Sequence, residues 1–195
     1  ESVYGINTSS LKLSNTKIDV TNTGGYTYGV LGTGNISNNN IAVNLLGNGG
    51  PSSYGINNQN ESNISENNVT INCEGAYTFY GIYGKGAISN SNINIHQTAT
   101  SGSTGYGIFG ASSLEIDNTT VDFEITGSST AYGIYGSNIT STNNNINLES
   151  TQVASPKYGM YLSGSSTING GRLDLLGPAD TNSYRMNMLY GINST

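Results

Sequence analysis

Residues 80–96 read Tyr80-Gly81-Ile82-Tyr83-Gly84-Lys85-Gly86-Ala87-Ile88-Ser89-Asn90-Ser91-Asn92-Ile93-Asn94-Ile95-His96. Three elements lie in this stretch: the tripeptide Tyr-Gly-Ile, the apolar residue Ile88 with Asn90 two positions on, and the pair Ile93/Ile95 between polar neighbours. β-branched residues spaced two apart and flanked by polar ones mark short strands with one face buried. Asn tolerates the left-handed backbone region that a sharp strand-to-strand bend requires, so Asn90 places a bend between the strand of Ile88 and that of Ile93/Ile95. No helical period is sustained.

The same unit recurs along the chain. Tyr-Gly-Ile or a close variant begins at Tyr4, Tyr28, Tyr54, Tyr80, Tyr106, Tyr132, Tyr158 and Tyr190, at intervals of 24, 26, 26, 26, 26, 26 and 32. Apolar triplets at the spacing of Ile88/Ile93/Ile95 appear as Leu13/Ile18/Val20, Ile36/Ile41/Val43, Ile64/Val69/Ile71, Ile116/Val121/Phe123 and Ile168/Leu173/Leu175, and one repeat places Ser141 before Ile146/Leu148. The bend residue is Asn15, Asn38, Glu66, Asn90, Asn118, Asn143 or Gly170. A fixed period whose unit cannot bury its own apolar face signals a solenoid, in which each coil is completed by its neighbours.

With three strands per coil, a period near 26 and a tight Asn turn after the second strand, the chain resembles the pectate-lyase-type parallel β-helix, asparagine ladder included, over essentially its whole length. The resemblance implies an all-β, right-handed, single-stranded parallel β-helix of about seven coils, a hand that parallel crossovers also favour. At about 4.8 Å per coil the rod would be roughly 34 Å long. One domain, 1–195, is expected. Because the chain starts and stops inside a repeat, it reads as part of a longer solenoid stacked on flanking coils of the same polypeptide.

Alternation along Tyr-Gly-Ile predicts Tyr and Ile on one face and Gly on the other. The preceding residue is Val3, Thr27, Ser53, Phe79, Gly105, Ala131, Lys157 or Leu189, varied and once charged. That side is therefore expected outward and the eight tyrosines inward, as an internal column. The residue after Tyr-Gly-Ile is then outward, and in four successive coils it is aromatic: Tyr83, Phe109, Tyr135 and Tyr161. Contiguous surface aromatics form a candidate platform for sugar rings or another protein, the alternative being a shield over the strand edges. On the third strand, stacking gathers His96, Asp122, Glu124, Glu149 and Asp174 into one outward patch. It is a candidate oxygen-ligand site for Ca²⁺ or a solvated acidic face, and the second reading is preferred, so no metal is assigned. Cys73 continues the inward alternation of Val69 and Ile71 and reads as a buried small hydrophobe.

Composition narrows the function. Charged residues are 9% of the chain, net charge is −6, and the six basic residues are scattered, which leaves no cationic stripe for nucleic acid. Apolar runs of a few residues fall far short of the roughly 20 that span a bilayer, so this segment is not expected to insert into a membrane. A single cysteine allows no internal disulfide. Asn/Ser/Thr/Gly-rich β-helical repeats poor in Cys and Lys are similar to autotransporter passengers and related bacterial adhesins. That similarity implies an extracellular or cell-surface, non-catalytic, cofactor-free rod whose partner is a host or environmental glycan or a surface protein. The alternative is a polysaccharide lyase or glycoside hydrolase of the β-helix class, for which Arg172 and Asp174 lie close in sequence while the intervening loops are short. The last interval carries six surplus residues between Leu176 and Asn187, expected as a protruding loop bearing Pro178, Asp180, Tyr184 and Arg185.

Overall fold

A computed structural model describes residues 1–46, 52–74, 78–98, 101–126, 128–151, 156–177 and 189–194. The strands are β1 (Ser2–Ser14), β2 (Lys17–Asn22), β3 (Tyr26–Ser37), β4 (Asn40–Leu45), β5 (Ser52–Ser65), β6 (Asn68–Cys73), β7 (Thr78–Ser89), β8 (Asn92–Gln97) and β9 (Ser101–Asp117). They continue as β10 (Thr120–Ile125), β11 (Ser128–Ser137), β12 (Ile139–Thr142), β13 (Asn145–Ser150), β14 (Lys157–Ser163), β15 (Thr167–Asn169), β16 (Arg172–Leu176) and β17 (Leu189–Ser194). Among the described residues there is no helix.

Every ladder is parallel and joins equivalent residues of successive coils, as in Tyr54↔Tyr80↔Tyr106 and Ile71↔Ile95↔Phe123. The chain is thus a parallel β-solenoid of about six turns, roughly 26 residues apart. The seventh interval passes through residues 178–188, so the expected protruding loop lies outside the described residues. Three strand segments make each coil. In the first five coils the first two run on as one bent strand, and in the next two they separate as β11/β12 and β14/β15. The ladders therefore form two sheets: β1-β3-β5-β7-β9-β11-β14-β17 with β12 and β15 attached, and β16-β13-β10-β8-β6-β4-β2.

The core lies between these sheets. Ile41, Val69, Ile93, Val121 and Ile146 form one fully buried column of the second sheet, and Val43, Ile71, Ile95, Phe123 and Leu148 form the next. Cys73 is buried at the end of β6, as its alternation predicts.

At the bend, Asn15, Asn38, Glu66, Asn90, Asn118 and Asn143 all have positive φ, between 45° and 57°, and Gly170 follows at 70°. The expected left-handed turn is present in every coil. The side-chain ladder that runs the length of the stack belongs to the next residue. Thr16 N–H donates to Asn39 Oδ1 (3.0 Å) and Asn39 N–H to Asn67 Oδ1 (3.1 Å). Asn67 N–H donates to Ser91 Oγ (3.2 Å), Ser91 N–H to Thr119 Oγ1 (3.4 Å), and Thr119 N–H to Asn144 Oδ1 (2.8 Å). Asn39, Asn67, Ser91, Thr119 and Asn144 are buried, whereas the left-handed residues before them are exposed. Of those exposed residues, Asn118 reaches back to Asn90 (2.7 Å). A left-handed residue turns the chain so that its successor points inward, where a short side-chain oxygen satisfies a buried amide of the coil before.

Within Tyr-Gly-Ile the Ile faces inward as expected, whereas the Tyr and the residue before it are reversed. Thr27, Phe79, Ala131 and Lys157, before the tyrosine, are wholly buried, and the tyrosines lie on the outer face with Tyr4 40% exposed. Alternation breaks at the glycine: Gly81 and Ile82 are both buried and point inward, and the register passes from Tyr80↔Tyr106 to Ile82↔Ile108. A Cβ on Gly81 would lie 2.5 Å from the Gly107 carbonyl oxygen and 2.6 Å from Ile93 Cγ2. Glycine recurs because the first sheet bends there against the branched side chains of the second, with room for no side chain. Reading straight alternation back from the buried Ile therefore placed Tyr on the wrong side.

Candidate functional site

On the outer face of the first sheet the repeat tyrosines form a ladder from Tyr4 to Tyr158, with ring centroids 4.8–5.0 Å apart and planes within 3–7°. The four aromatics expected to face outward, Tyr83, Phe109, Tyr135 and Tyr161, form a second ladder with centroids 5.1–5.3 Å apart. The two ladders meet edge to face, at 89° for Tyr80/Tyr83 and Tyr106/Phe109 and 75° for Tyr132/Tyr135. Edge-to-face and offset-stacked pairs are both favourable, each worth about 0.5–1.5 kcal/mol beyond area burial. Within the stack each ring face is covered by a neighbour. What remains to solvent is the rim.

Burial among these rings raises the phenols above their ordinary value near 10. The Tyr132 hydroxyl is pushed up to about 12, first by desolvation and then by the surrounding tyrosines. Tyr80, Tyr54, Tyr28 and Tyr106 are also raised, desolvation again leading. The second ladder stops at Asn57, which occupies the rung before Tyr83. Asn57 is 4% exposed, and its Oδ1 has no partner among the described residues.

The second sheet's outer face gathers the patch expected from sequence. His96, Asp122, Glu124, Glu149 and Asp174 line a shallow groove of about 340 Å³ with the aliphatic Leu176. Four of the five are engaged pairwise: His96 Nδ1 with Glu124 Oε2 (3.0 Å), Asn147 Nδ2 donating to Asp122 Oδ1 (2.6 Å), and Arg172 Nε with Asp174 Oδ2 (2.7 Å). The His96–Glu124 and Arg172–Asp174 pairs are exposed, each worth at most about 1 kcal/mol. Among the described residues no three His, Cys, Asp or Glu side chains are placed to hold a metal ion.

A third feature was not read from sequence. At the corner between the first and second strand segments an open trough of about 720 Å³ runs lengthwise, from Asn35 to Ser165. Its cause is a difference in the length of this corner from coil to coil. Between the rungs Asn57↔Tyr83 and Glu61↔Lys85 the third coil has three residues, Asn58 to Asn60, against Gly84 alone. Between Gly84↔Gly110 and Gly86↔Leu114 the fifth coil has Ala111 to Ser113 against Lys85 alone. At this corner the fourth coil is thus two residues shorter than both neighbours, and Gly86 and Ala87 form a floor with Glu61 and Glu115 on the walls. Only counting residues between bulges reveals it.

No helix among the described residues is long and apolar enough to cross a membrane. No family model matches the chain, and neither a curated protein nor a solved structure matches it.

Proposed function

We propose that the chain is a non-catalytic, adhesive rod of a secreted or cell-surface protein, recognising a glycan or a surface protein along its side. The double aromatic ladder is the observation that carries this reading. It commits 11 rings to one outer strip, far more than shielding a few strand edges needs, and contiguous aromatic surface marks contact sites. Phenol hydroxyls, neutral at physiological pH, supply hydrogen bonds at an otherwise apolar strip, the combination that favours tyrosine in interfaces. The similarity of the repeats to autotransporter passengers and adhesins supports an extracellular setting.

Attachment of the full chain to cells and to a glycan array, compared with Tyr83→Ala and Tyr135→Ala, tests the reading. Attachment that falls in the variants while the solenoid stays folded supports it. Release of unsaturated oligosaccharides from polyuronates, or of new reducing ends from neutral polysaccharides, would replace it with the enzyme reading.

A further inference from the structure

We propose that the corner trough is a binding site for an extended, uncharged oligosaccharide lying parallel to the rod. The proposal rests on the adhesive reading and gives it a site and a ligand class separate from the aromatic ladders. The trough spans five coil steps, about 24 Å, and a hexose in an extended chain advances by nearly the distance of one coil. Equivalent protein groups therefore meet equivalent sugar units.

Apart from Gly86, Ala87 and Leu114 its lining is amide, hydroxyl and carboxylate, with no basic side chain among the described residues. Asn35 and Asn138 are set for recognition by their own cross-coil bonds. Asn35 Oδ1 accepts from Asn63 N–H (3.4 Å) and Asn138 Oδ1 from Ser165 N–H (3.0 Å). Each amide oxygen is thereby engaged by a backbone N–H of the neighbouring coil, and its N–H₂ donors have no protein partner among the described residues. Glu61 and Glu115 supply acceptors on opposite walls of the short coil. Fixed donors near the ends and acceptors in the middle match a ligand that presents hydroxyls along its length. The two carboxylates and the absent cations disfavour a polyuronate. A peptide strand would need a free sheet edge or apolar pockets, and the trough runs across ladders whose backbone is already paired.

The test is binding of the full chain to neutral hexose homo-oligosaccharides of about five units, with oligogalacturonates as the anionic counterpart. Neutral probes should bind and uronates should not. Ala87→Tyr, which fills the floor, should weaken binding by about tenfold or more. Asn35→Ala combined with Asn138→Gly, the glycine retaining the φ of 56° at that position, should do the same. Thr70→Ala, on the outer face of the second sheet and outside both the ladders and the trough, should leave it unchanged. If Ala87→Tyr does not fold, the Asn pair decides. Preference for uronates, or undiminished binding by a folded trough variant, overturns the proposal. So does a chain that attaches to cells yet binds no neutral probe, and in that case the adhesive reading survives; loss of all attachment ends both.

Discussion

Two corners of the same coil behave oppositely. At the bend between second and third strand segments the first six coils repeat one conformation, a left-handed residue followed by a short polar side chain. At the corner between first and second segments each coil differs in length from the next, which is why the ladders carry register shifts at Thr8/Leu11, Gly32/Ile36, Asn57/Glu61 and Gly84/Gly86. The bend's side chains point inward and bond from coil to coil, so a change in one coil unpairs buried groups in two. The corner points outward, and extra residues there cost little more than loop entropy, which grows slowly with length. Uniformity thus belongs to the corner that holds the stack, and variation to the one that shapes its surface.

The sharpest way to break this comparison is Asn67→Ala. Asn67 Nδ2 donates to Ile36 and Ser65 carbonyls (both 2.9 Å), and its Oδ1 accepts from Asn39 N–H (3.1 Å) and Asn39 Nδ2 (3.0 Å). Truncation leaves several buried groups unpaired at about 1–3 kcal/mol each. A loss of about 3–5 kcal/mol in chemical denaturation is expected, and a loss below about 1 kcal/mol would show that the bend is not the seam of the stack.

The bend was legible in the sequence because its conformation demands a residue type. Asn or Gly at one position of nearly every repeat is a direct trace of positive φ, and β-branched residues two apart trace the inner face of the second sheet. The ladder itself was missed by one residue. Thr16, Asn39, Asn67, Ser91, Thr119 and Asn144 share only a short side-chain oxygen, a weaker signal than repeated Asn. The facing of the tyrosines was illegible for a different reason: a glycine that interrupts alternation looks, in sequence, like a glycine within it. The acidic patch followed from period alone. The trough did not, since it depends on how many residues lie between two rungs and not on which they are.

Lys157 sharpens the comparison at the remaining corner, between third and first segments. It occupies the inward rung after Ala131, is fully buried, and has its amine lowered to about 8 by desolvation. The unfolded chain binds this proton up to the ordinary value near 10.5, so between pH 8 and 10 the unfolded state holds more protons and stability rises with pH. Lys157→Met should raise stability at pH 7 by about 2–3 kcal/mol and abolish that rise. The tyrosine ladder works the other way. Its phenols are raised, so its contribution is full below pH 10 and is lost as pH climbs through their folded values. Thermal melts from pH 7 to 10 in wild type and variant check the sign, and a wild-type decline across pH 8 to 10 would contradict it.

Glu66 is the bend's exception, the only non-Gly residue in the series other than Asn, at φ 56°. Its side chain lacks the local amide that eases this conformation, so Glu66→Asn should stabilise by about 0.5–1 kcal/mol. The same change at Ser65, one residue before the left-handed position, should give no gain. Equal effects at the two sites would mean that the turn is not under conformational strain.

The smallest expected effect on stability is at the variable corner, and it carries the largest consequence for the surface. Deleting Ala111 and Ser112, both exposed, brings this corner of the fifth coil to the length it has in the fourth, so that one residue stands between Gly110 and Leu114 as Lys85 stands between Gly84 and Gly86. Leu114 keeps its inward rung and the buried columns of the second sheet are untouched. The midpoint of denaturation should therefore move by no more than the equivalent of about 1 kcal/mol. The wall bearing Glu115 would drop level with the floor at Ala87, opening the trough on one side, and binding of neutral oligosaccharide should fall while the tyrosine ladder's near-ultraviolet signature is unchanged. A large loss of stability would show that corner length is as constrained as the bend, and that the differences between coils are compensated by packing rather than tolerated at the surface.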